Sequence, residues 1–150
     1  MTPARPGPAI SLYEADYLGW IEATAAALKR QDYGAIDWEN VVEEIEDMGR
    51  RERQSLKSNL VILLLHLLKW QFQPGKQNHS CNASIVEHRQ RLEDSVEASP
   101  SLKPYLETLL TKAYGNAVER AAAETGLSEA AFPQDCPYTA GQIMSKGFLP

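Results

Sequence analysis

Apolar side chains recur along this chain at helical spacing, and no segment sustains the alternation of a strand. Tyr17, Ile21, Ala25 and Leu28 stand four, four and three residues apart, which predicts one buried helix face. Ser11 followed by Glu14 is an S-x-x-E capping box, so this helix is expected to start near Leu12. Lys29 and Arg30 suit its last turn, where cations oppose the helix dipole. Gln31 to Ile36, containing Gly34, reads as a connection. Asp37 is a good N-cap for a second helix that can run to about Gln71, with Glu39, Glu43 and Glu44 near its positive end. Gly49 is its interior weak point, costing roughly 1 kcal/mol relative to alanine. The helix is either continuous there, with room for a close neighbour, or broken into two arms. Val61 to Leu65 is apolar on every side and must be surrounded by protein, as core or as a dimer interface.

Proline and glycine punctuate the remainder. Phe72 to Ser80, with Pro74-Gly75, reads as a turn, followed by a helix from about Asn82 to Ala98 with Ile85, Leu92 and Val96 facing inward. Ser99-Pro100 and Lys103-Pro104 are helix-start signals. The next helix is expected from Pro104 to about Glu124, with Leu106, Leu109, Leu110, Ala113, Ala117 and Ala121 inward and Gly126 ending it. Ser128 to Ala131 and Thr139 to Ser145 read as short helical pieces. The expected fold is all-α: a compact bundle of four to five main helices with short C-terminal helical turns. Residues 11–150 are expected to form one domain after a disordered or extended segment, residues 1–10.

Composition adds an uneven charge map. The net charge of −5 combines −7 over residues 1–49, +6 over 50–91 and −4 over 92–150. An acidic whole disfavours non-specific nucleic-acid binding, whereas the basic middle leaves local anion binding open. Helices of opposite charge packed side by side would also account for the pattern. The nine residues Leu60 to Leu68 rise about 14 Å, less than half of a bilayer core, so no membrane span is expected. The Pro-rich start lacks the apolar stretch of a secretory signal, and Cys81 and Cys136 form no C-x-x-C pair. A cytoplasmic protein with two reduced thiols is the simplest reading.

Four ordered motifs carry a family resemblance: Glu39 to Gly49 (ENVVEEIEDMG), His66 to Gln71 (HLLKWQ) with Pro74, Pro100 to Tyr105 (PSLKPY), and Phe132-Pro133 through Cys136-Pro137-Tyr138 to Phe148-Leu149-Pro150. Together, over about Leu12 to Pro150, they resemble the bacterial "domain of unknown function 29" family. The resemblance implies a compact helical domain of unassigned activity and supplies no mechanism. This chain has Cys81 where the family usually has tryptophan.

Three constellations could carry chemistry. Glu43 and Asp47, at i and i+4, share a helix face, as do Glu44 and Asp47 at i and i+3, and such carboxylates could share a divalent cation such as Mg²⁺. E-E-x-x-D is half of an all-α pyrophosphatase signature, but the second acidic pair is missing, and the cluster also reads as a helix start paired with Arg50 and Arg51. His66, in an apolar run with Lys69 and Trp70 three and four residues later, is a candidate base or ligand, or a core histidine satisfied by a neighbour. Glu44 and His66 are 22 residues apart, only ~40° around the helix but ~33 Å along it. One site could use both only if the helix breaks at Gly49 or a second subunit runs antiparallel. Arg50, Arg51, Arg53, Lys57, Lys76, Arg89 and Arg91, with Trp70 and Phe72, make a candidate anion- or partner-binding surface, unless they pair within the chain. No Walker loop, G-x-G-x-x-G, G-x-S-x-G or H-E-x-x-H motif is present, and Cys81 so near His79 is poorly placed for a nucleophile pair.

The leading expectation is a non-catalytic interaction or regulatory module that contacts a protein or nucleic-acid partner, a protein in preference, through its basic middle segment, with no membrane partner. A homodimer through Leu60 to Leu68 stays open. The alternative is a metal-dependent hydrolase of a nucleotide or other phosphate ester. Glu43, Glu44 and Asp47 would then hold the cation, His66 would act as base, and Lys69 or Arg89 would stabilise the phosphate.

Overall fold

In a computed structural model of the chain, residues 11–150 are described. The expected N-terminal segment, residues 1–10, lies outside them. The described residues form six helices and no strand: α1 (Leu12–Ala15), α2 (Tyr17–Lys29), α3 (Trp38–Phe72), α4 (His79–Ala98), α5 (Leu102–Thr125) and α6 (Ala140–Met144). Three single-turn 3-10 segments, Tyr33–Ala35, Pro74–Lys76 and Glu129–Ala131, join them. The chain is all-α, with four helices of substantial length. No helix among the described residues is long and apolar enough to cross a membrane. Two compact units divide at Gly49 and Arg50, although α3 itself is unbroken there.

In the first unit, the helix expected from Leu12 to Lys29 is two helices. Asp16 leaves helical geometry (φ −149°, ψ 87°), and its carboxylate accepts the Gly19 N–H at 3.0 Å, capping α2. A Cβ at Gly19 would lie 2.5 Å from Asp16 Oδ2, so glycine lets the capping carboxylate sit this close without shifting. Ser11 caps α1 as expected, accepting from the Glu14 N–H, and Asp37 caps α3, accepting from the Asn40 N–H. The buried face of α2 is a correction. Tyr17, Ile21, Ala25 and Leu28 are exposed, whereas Trp20 and Ala27 are buried and Thr24 is half-buried. The stripe is rotated by one residue, about 100°. Trp20 has the largest apolar surface in the helix, and burying it wins over Ile21 and Leu28. Tyr13 packs edge-on to Trp20 with ring centroids 4.8 Å apart, and Tyr17 stacks on it at 6.1 Å.

The second unit is a bundle of α4, α5, α6 and the part of α3 from Arg50 onward. Asn59 meets His88 (3.0 Å) and His66 meets Cys81 (3.6 Å), two pairs placed symmetrically about the Gln73–Pro74 turn, so α3 and α4 run antiparallel. Arg53 lies over the Tyr105 ring at 5.9 Å and Lys69 bonds Glu124 at 3.1 Å, so α5 runs parallel to α3. Leu56, Leu60, Val61, Leu63, Leu64, Leu65, Leu67 and Leu68 are all buried within one chain. Within one chain the run is core, apart from half-buried Ile62 and His66. From α5, the buried stripe Ala113, Ala117 and Ala121 lets backbones approach closely, beside buried Leu102, Leu106, Leu109 and Tyr114. α4 starts one turn earlier than expected because Asn78 accepts the Cys81 N–H at 2.8 Å. Gly126 (φ 74°) ends α5 in the left-handed region, as expected.

The C-terminal motif is a clasp. The Tyr114 hydroxyl donates to the Pro133 carbonyl, the Cys136 thiol to the Tyr138 carbonyl, and the Tyr138 hydroxyl to Gln71 Oε1 at 2.7 Å. Gln71 belongs to the HLLKWQ motif, so two of the distinctive sequence motifs are joined directly. A buried arginine anchors the chain beyond Tyr138. Arg89 is 3% exposed; its Nε donates to the Ile143 carbonyl at 2.8 Å and its Nη2 to the Phe148 carbonyl at 2.9 Å.

Candidate functional site

The acidic cluster lies in the first unit, and its central carboxylate is bound by tyrosines. Tyr13 Oη donates to Glu44 Oε1 and Tyr17 Oη to Glu44 Oε2, each at 2.6 Å. Helix α1 delivers Tyr13 and the first residue of α2 delivers Tyr17, so the Asp16 break sets the positions of both phenols. Glu43 is exposed and Asp47 half-buried on the same helix. Among the described residues, no group of three or more His, Cys, Asp or Glu side chains is arranged to hold a metal ion.

The hydrogen bond to Glu44, with burial second, pushes Tyr13 up to about 12. The neutral phenol is the donating form, so this tie contributes stability below the unfolded tyrosine value of about 10. It is lost as pH rises through about 12. Spectrophotometric titration should find a tyrosine near 12 in the native chain, returned toward 10 by Glu44→Gln. A titration that the substitution leaves unchanged would contradict this assignment.

His66 and Lys69 come together in the second unit, in a polar cleft of about 250 Å³. Gln73 and Lys76 line it beside the turn, Asn78, Ser80 and Cys81 at the start of α4, and Glu124 at the end of α5. Cys81 Sγ is 3.6 Å from both His66 Nδ1 and the His66 carbonyl. Burial, with Lys69 adding to it, holds His66 below the usual imidazole value, while burial pushes the Cys81 thiol up. Both shifts favour the neutral forms, so the contact is thiol beside imidazole and lacks the charge separation of an activated nucleophile. Lys69 Nζ is held by Glu124 Oε2 at 3.1 Å.

The basic residues are divided among different surroundings. Arg50 and Arg51 are exposed on α3, and Arg53 sits over the Tyr105 ring. Trp70 is half-buried against the core, and its carbonyl accepts from Gln77 Nε2 at 2.8 Å. Arg91 pairs with Glu87 at 2.6 Å, and Arg89 is the interior anchor of the C-terminal segment.

Several partners were hidden in the sequence. His66 and Cys81 could have been paired by counting outward from Gln73-Pro74 at the start of the turn, whereas Glu124 carries no local signal that it meets Lys69. Missed as well were the exposed apolar side chains of the first unit. Leu18, Ile21 and Leu28 line one side of α2, and Val42, Ile45 and Met48, at i, i+3 and i+6, line one side of α3. Leu18 is 64% exposed and Ile45 60%.

No curated protein and no solved structure matches the chain. A family model, however, matches residues 12–149, nearly the whole length over which the fold and these clusters have been described. The chain belongs to the family described as domain of unknown function DUF29.

Proposed function

We propose that the chain is a non-catalytic interaction module whose partner is a protein. The observation that carries this reading is the row of exposed apolar side chains Val42, Ile45 and Met48 on α3, joined in the same unit by Leu18, Ile21 and Leu28 on α2. Among the described residues, the unit buries three hydrophobic residues, Trp20, Ala27 and Ile36. Exposed apolar side chains in a row of that kind are a feature of protein contact sites and are poorly suited to phosphate backbones. The contact is thereby moved from the basic middle segment, where Arg89 is interior and Trp70 packs on the core, to the first unit.

The hydrolase reading has less support. A cation on Glu44 would displace two phenol hydrogen bonds, and His66 stands 22 residues further along the same unbroken helix.

The test is affinity capture with wild type and Val42→Glu/Ile45→Glu, followed by reconstitution with the purified captured protein. The wild type is expected to form a saturable complex that the variant loses. A complex indifferent to the substitutions would overturn the reading. So would a thermal melt with Mg²⁺ and nucleotides whose shift vanishes in Glu44→Ala and Asp47→Ala. A ligand at 100 times its Kd stabilises by about 2.7 kcal/mol, enough to be seen.

A further inference from the structure

The second unit carries a different surface, a groove of about 510 Å³ where α4, α5 and α6 meet. Its floor is apolar: Val96 from α4, Leu106 from α5, and Ala140 and Met144 from α6. Its rim is acidic, with Glu93 and Glu97 one turn apart on α4 and Glu107 facing from α5, against a single cation, Lys103. Glu93 also acts on the buried Arg89 guanidinium, so Glu97 and Glu107 are the carboxylates most open to an outside charge. Both are exposed.

The groove is built by the fold. Arg89 holds the carbonyls of Ile143 and Phe148, Ile143 is 1% exposed, and Thr139 and Gln142 close a capping box at the start of α6. The α6 wall is therefore fixed, while Met144 supplies an adaptable side chain on its surface.

We infer that this groove docks a cationic amphipathic helix of a partner protein. Leucine-like side chains would enter the floor, and lysine or arginine side chains beside them would meet Glu97 and Glu107. Apolar contact sets the seating, and charge complementarity sets the partner and the rate of encounter. The inference keeps the interaction-module reading but uses another surface, so either can fail alone.

The probe is a synthetic helical peptide with leucines at i, i+3, i+4 and i+7 and lysines elsewhere, followed by amide chemical shifts and fluorescence anisotropy. Shifts are expected at Val96, Ala140 and Gly141. Binding should weaken about tenfold in Glu97→Lys/Glu107→Lys, which alters exposed side chains only, and should weaken with added salt. Val42→Glu/Ile45→Glu should leave it unchanged, separating this test from the preceding one. Equal binding by a peptide of the same composition with scrambled leucines would overturn the inference, showing attraction to acidic charge alone. Reproduction of the shifts by spermine would overturn it in favour of a small polycation. Shifts confined to other surfaces, or an affinity indifferent to Glu97→Lys/Glu107→Lys, would also overturn it.

Discussion

Arg89→Ala is expected to destabilise the chain by about 3 kcal/mol, a large share of the 5–15 kcal/mol typical of a domain. The guanidinium is 3% exposed and makes two charge-assisted hydrogen bonds, to the carbonyls of Ile143 and Phe148. Its removal strands both acceptors and opens a void beneath α6. Arg89→Met keeps much of the aliphatic stem and removes the donors, so it should recover only the packing part of the loss. Amide exchange should rise first over residues 140–150, because α6 and Phe148 lose their tie to α4. Urea unfolding of the three proteins measures the effect. A loss under about 0.5 kcal/mol for Arg89→Ala would mean that these hydrogen bonds are readily replaced by water.

Leu64→Ala is the second large effect, at about 3 kcal/mol within the 2–5 kcal/mol range for a buried leucine. Leu64 is 0% exposed among side chains from α3, α4 and α5, so truncation removes transfer free energy and leaves a cavity. For a chain of this length, the melting temperature should fall by roughly 6–12 °C. The fall should be the same at low and high protein concentration, because the leucine run is buried within a single chain. A concentration-dependent loss would assign the run to a subunit interface instead. Ile45→Ala, on the exposed side of α3, should stay within about 0.5 kcal/mol and serves as the control.

Much of the fold was legible because its signals are local. The Ser11 and Asp37 caps, Pro74-Gly75 and Gly126 each act within a turn or two, and each appears at its expected place. The leucine run announced burial because no polar face was left to meet water. The break at Asp16 was less legible. An aspartate with a glycine three residues later can also sit inside a helix, and the backbone geometry decides that it caps instead. The α2 face was misjudged because spacing alone cannot weigh one Trp20 against Ile21 and Leu28.

The candidate site was less readable for a related reason. Charge type was visible, but whether a charge faces water, a ring or a carbonyl depends on residues far away in sequence. Arg89 was named with the basic surface, yet its acceptors lie 54 and 59 residues downstream. Lys69 meets Glu124 across 55 residues. Tyr13 and Tyr17 meet Glu44 through α1 and α2, which no spacing rule along α3 could show.

The sequence by itself determined an all-α chain, its main helices, the leucine core and a family of unassigned activity. Those follow from hydrophobic period, capping and turn chemistry, which are short-range. Tertiary structure alone decided which polar groups are consumed inside and which surfaces remain for a partner. Burial and hydrogen bonding between distant residues set the energy of each charge, and no linear pattern encodes that directly.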